Sequence, residues 1–65
     1  MRVKLGRRIY MCTVATHPTD SELILLTTPN GVYTVVMNSI EEAVNCHMLL
    51  LKNGYYDFTG YEYSN

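Results

Sequence analysis

Apolar and polar residues alternate along positions 2–15. Val3, Leu5, Ile9, Met11 and Ala15 hold odd positions, with Arg7 the exception, while Arg2, Lys4, Arg8 and Tyr10 hold even ones. A period of two places the two sets on opposite faces of a β-strand. Gly6 marks a bulge or a break in that strand. Residues 16–21, Thr-His-Pro-Thr-Asp-Ser, are turn formers and predict a loop. Leu23, Ile24, Leu25 and Leu26 then run together, and Thr27, Thr28 and Pro29 limit them to a strand rather than a short helix beginning at Thr19. Pro29-Asn30-Gly31 predicts a tight hairpin turn, and residues 32–37 predict the β-branched strand that returns from it.

The period changes after residue 38. Ser39-Ile40-Glu41-Glu42 has the form of a capping box, in which the serine hydroxyl and a glutamate satisfy free backbone N–H groups at a helix start. Both glutamates suit the positive end of the helix dipole, Lys52 suits the negative end, and Gly54 follows as a left-handed cap. These signals predict a helix over residues 39–53. Ile40, Ala43, Val44, His47 and Leu51 recur at spacings of three and four and predict the sheet-facing stripe. Leu49 falls opposite that stripe, with Met48 and Leu50 beside it. A helix apolar on a second side of so small a domain points to a partner.

Tyr55, Tyr56, Phe58, Tyr61 and Tyr63 form an aromatic tail interrupted by Asp57, Thr59 and Gly60. It reads as a strand with a bulge or as a tight terminal hairpin. The expected architecture is α+β: a small antiparallel sheet in the order β-β-β-α-β, with one amphipathic helix on one face. The last strand could join either end of the sheet.

Length limits the chain of 65 residues to a single domain spanning residues 1–65, with a thin stability margin. Its apolar fraction of 48% supplies a core and leaves apolar residues over. The net charge of −1 lacks the positive excess of a dedicated nucleic-acid binder. The charges are nevertheless uneven. Arg2, Lys4, Arg7 and Arg8 lie in the first eight residues, and Lys52 is the one base among all the acids that follow. The start of the chain lacks the apolar run of a secretory signal, and no stretch is long enough to span a membrane. Free thiols at Cys12 and Cys46 and a cytoplasmic location are the matching expectations.

Candidate chemistry is sparse. Cys12, His17, Cys46 and His47 lack the paired spacing of a zinc site, so no metal or cofactor is expected. His47 would need a nucleophile and an orienting acid to serve catalysis, and no motif supplies them. It reads as a core-edge histidine, and no residue reads as catalytic. Tyrosine offers large contact area at low entropy cost, so Tyr55, Tyr56, Tyr61 and Tyr63 join Leu49 as candidate interface residues. The expectation is a non-enzymatic protein-binding module, a homodimer, acting as an accessory or inhibitory factor of the phage-encoded kind. The alternative is a nucleic-acid binder using Arg2, Lys4, Arg8 and Tyr10 on one sheet surface.

Overall fold

A computed structural model describes residues 1–65. Seven strands and one helix follow in the order β1 (Arg2–Leu5), β2 (Arg8–Met11), β3 (Thr13–Thr16), β4 (Leu23–Thr28), β5 (Gly31–Val36), α1 (Ile40–Asn53), β6 (Tyr55–Asp57) and β7 (Glu62–Ser64). The α+β class read from the sequence holds, with mainly antiparallel pairing and a single helix. The one expected sheet resolves into two, ordered β2-β1-β6 and β3-β4-β5-β7.

Local chemistry explains the extra strands. Gly6 and Arg7 form a two-residue turn between β1 and β2, in which Leu5 pairs with Arg8. Gly6 sits at φ 61°, a left-handed corner that costs glycine little. Cys12 then separates β2 from β3. Its N–H donates to the Met1 carbonyl at 2.9 Å, extending the β1–β2 ladder by one pair. From Thr13 onward the chain pairs with β4 instead. One run of residues thus passes from the first sheet into the second, with the Cys12 side chain buried at the crossing.

The β4–β5 hairpin turns at Pro29-Asn30, as expected. The Thr28 hydroxyl donates to the Gly31 carbonyl at 2.9 Å and accepts from the Asn30 N–H at 3.1 Å, which locks the corner. The aromatic tail divides at Asp57. Its carboxylate accepts from the Thr59 N–H at 2.9 Å and the Thr59 hydroxyl at 2.6 Å, turning the chain away from β6. The tail therefore supplies two strands: β6 lies parallel to β1 in one sheet, and β7 lies antiparallel to β5 in the other.

Both helix caps form. The Ser39 hydroxyl accepts from the Glu42 N–H at 3.1 Å. The Glu42 carboxylate takes the N–H of Asn38, at 3.3 Å, rather than that of Ser39. Gly54, at φ 71°, donates its N–H to the Leu50 carbonyl at 2.8 Å. Val3, Leu5, Ile24, Leu26, Val35, Met37, Ala43, Cys46, Leu50 and Phe58, with Cys12, make one continuous core to which both sheets and the helix contribute. No helix is long and apolar enough to cross a membrane.

The β1–β2 turn is also a packing point. A Cβ at Gly6 would stand 2.7 Å from the Tyr63 hydroxyl oxygen. Gly6→Ala is therefore expected to lower stability in urea by about 1–3 kcal/mol, through the positive φ and this clash together. Tyr63→Phe in the Gly6→Ala background should recover part of the loss. Simple additivity of the two changes would show that the close approach carries no energy.

Candidate protein-interaction surface

The helix surface follows from its wheel. At about 100° per residue, the apolar positions of α1 from Cys46 round to Met48 cover an arc of about 200°. One half of this arc, Ala43, Cys46 and Leu50, is buried. The other half is Ile40, Val44, Met48 and Leu51, which remain 54%, 54%, 63% and 61% exposed. This overturns the expected stripe. Ala43 does face the core, but Ile40, Val44 and Leu51 point to water. His47 is half-buried on the border between the two halves. Leu49, expected on the solvent face, is half-buried on the side away from the exposed stripe.

The exposed stripe is bounded by charge on one flank only. Glu41 and Lys52 both lie on that flank, one in the first turn and one in the last. A shallow hollow there is lined by Ser39, Glu41, Glu42, Val44, Asn45 and Met48.

Three of the tail tyrosines pack into two aromatic clusters, and Tyr55 stands apart from both. Tyr56 and Tyr61 flank Phe58, with ring centroids 4.8 Å and 6.0 Å from it. They are half-buried against the core. Tyr63 packs edge-on to Tyr33 at 6.1 Å, and Tyr33 meets Tyr10 at 5.3 Å. Tyr55 pairs with Arg2 across β6 and β1 and shares its outer face.

The basic set is divided by the β1–β2 register. Lys4 pairs with Ile9, and Arg2 with Met11, so Arg2 and Lys4 share the outer face with Ile9 and Met11. Val3 pairs with Tyr10, and Leu5 with Arg8, so Arg8 and Tyr10 lie on the opposite face, Tyr10 half-buried and Arg8 exposed. The two-residue turn reverses the odd–even assignment that a single straight strand would keep. The expected stripe of Arg2, Lys4, Arg8 and Tyr10 therefore does not exist as one surface. Arg2 and Lys4 are left beside exposed Ile9, 57%, and Met11, 60%, with Asp57 opposite Lys4 on β6.

Several groups titrate away from their ordinary ranges. Burial pushes the Cys46 thiol up to about 11 against the weaker opposing pull of the Tyr56 hydroxyl. Burial also raises the Cys12 thiol. The Tyr61 hydroxyl beside Glu42, aided by the Asn38 N–H, holds that carboxyl below its usual range, and Glu42 in turn pushes Tyr61 up to about 12. The hydroxyl and N–H of Thr59 hold Asp57 low. Both cysteines are free and buried, and no three His, Cys, Asp or Glu side chains converge as a metal would require. The sequence pointed to a second apolar helix side but not to its position, because both halves of the arc repeat at three and four. Compared with protein families, curated proteins and solved structures, the chain matches none.

Two outcomes follow from these groups. A thiol reagent at pH 8 should label neither cysteine in the native protein on the timescale that labels both in urea, since thiolates are the reactive form. Rapid native labelling of Cys46 would contradict its burial. Glu42 and Asp57 titrate lower folded than unfolded, so each stabilises above its ordinary value, 4.5 and 3.8, and that stabilisation is lost as the pH falls through the folded value. Glu42→Gln should flatten the fall in urea midpoint below pH 4.5. An unchanged acid limb would remove Glu42 from the account.

Proposed function

We propose that this protein is a non-enzymatic interaction module that binds protein through the helix stripe Ile40, Val44, Met48 and Leu51. The observation that carries this reading is the stripe itself: four large apolar side chains, each more than half exposed, in one continuous row on a rigid, doubly capped helix. Exposed apolar surface is common as isolated residues and uncommon as a row. Four side chains of this size leave roughly 400 Å² of apolar surface in water, the scale of the largest patch on a typical monomer, which is often functional. Helix-in-groove and helix-on-helix recognition use anchors at this spacing.

The chemistry elsewhere is consistent with binding alone. The Cys46 sulfur is buried and its thiol is held protonated well above neutrality. His47 stands at the edge of the stripe, where an imidazole can hydrogen-bond at the rim of an interface. Reduced thiols at Cys12 and Cys46 suit action in the cytoplasm. A domain with this apolar helix face fits an accessory or inhibitory factor of the phage-encoded kind, acting by occupying a protein surface.

A photo-crosslinking residue at Val44, in the cells that make the protein, should give protein adducts identifiable by mass. The same residue at Thr27, on the outer face of β4, should give far fewer. Adding Met48→Lys should abolish the Val44 adducts while leaving the thermal midpoint within a few degrees, because Met48 contributes little to the fold's own core. Absence of any protein adduct from Val44, with this chain or another, would sink the reading.

A further inference from the structure

We propose that the occupant of the stripe is a second copy of this chain, docked helix against helix, antiparallel, about a two-fold axis near residue 46. The inference rests on the reading of the stripe as a binding surface and adds the partner and its geometry.

The residue pattern is self-complementary. An antiparallel pair with its axis near residue 46 sets Val44 against the partner copy's Met48 and Ile40 against its Leu51. The same axis sets Glu41 against the partner copy's Lys52. All three pairings centre within half a residue of one axis at residue 46. Branched Ile40 and Val44 thus meet the longer, more flexible Leu51 and Met48, so wide side chains face narrow ones along the row.

The flanks select the direction. In an antiparallel helix pair each flank meets the same flank of the partner, whereas in a parallel pair it meets the opposite one. Glu41 and Lys52 lie on the same flank, so antiparallel packing alone joins opposite charges, twice per dimer. The opposite flank carries Ala43, which is buried against the protein's own core, so a parallel pair would set the charges against the body of the domain. The shallow hollow lined by Ser39, Glu41, Glu42, Val44, Asn45 and Met48 lies where the partner copy's Met48 and Lys52 arrive. Its wall carries two carboxylates, which suit an ammonium group. The shallow crossing of about 20° keeps both helix ends within reach.

The area sets the strength. Two copies of the stripe bury about 800 Å² in total, below the range of tight, permanent interfaces. An interface of this size belongs with weak, reversible associations.

Sedimentation equilibrium over a wide concentration range tests this, with circular dichroism of each variant as the folding control. The unaltered protein is expected to show a monomer–dimer equilibrium, and Met48→Lys is expected to weaken it by at least about 100-fold. Glu41→Lys and Lys52→Glu should each weaken it about 3- to 10-fold, and the double variant should return to within about 2-fold of the original. A strict monomer at millimolar concentration would overturn the second-copy assignment while leaving a different protein as the stripe's partner. Single charge reversals whose effect is not recovered in the double variant, with Met48→Lys still disruptive, would overturn the antiparallel register. A dimer indifferent to Met48→Lys would overturn the register and the stripe together.

Discussion

The seating of β6 on β1 governs much of this molecule. A single residue, Gly54, stands between the end of α1 and the start of β6. Its N–H closes the helix on the Leu50 carbonyl, and its own carbonyl accepts from the Arg2 N–H at 2.8 Å. The two bonds of one residue therefore join the last helical turn to the first sheet. At the other end of the strand, the Phe58 N–H donates to the Lys4 carbonyl at 2.9 Å. With the strand clamped at both ends and no slack before it, the helix cannot rotate freely about its axis. The side bearing Ala43, Cys46 and Leu50 is held inward, and the rest of the apolar arc stays outside.

Small size shapes what fills the interior. A chain of this length has too little volume to hide many large side chains completely. Its single phenylalanine is almost fully buried, while most tyrosines sit half in and half out. Tyrosine suits that position, because its ring packs while its hydroxyl stays near water. The Tyr10 and Tyr33 hydroxyls lie 3.4 Å apart, so two sheets meet at this point through a polar tip as well as through ring contact. The aromatic content thus serves mainly to close a small fold.

Elements with local causes were legible in the sequence. The caps of α1, the Pro29-Asn30 turn and the apolar character of β4 each depend on neighbours within a few residues. The division into two sheets was not, because it depends on the chain changing partners at Cys12, which pairs with Met1 while Thr13 pairs with β4. Nor was the parallel pairing of β6 with β1, whose partners are more than fifty residues apart. The buried side of the helix was misplaced for a related reason. Periodicity states that Ile40, Val44 and Leu51 share a face, but only the clamped strand after Gly54 decides whether that face turns inward. The surplus of apolar residues was visible from composition, but composition does not say where on the surface they lie.

The two-residue turn at Gly6-Arg7 bears on more than local geometry. It decides which half of the alternating segment meets water. One inserted residue there, with the ladder shifted to suit, would turn Arg8 and Tyr10 outward beside Arg2 and Lys4 and carry Ile9 and Met11 inside. The same amino acids would then present a cationic, aromatic face instead of a mixed one. Loop length is thus a hidden variable of surface character in this scaffold, and relatives differing by a single turn residue would offer their surroundings an altogether different exterior.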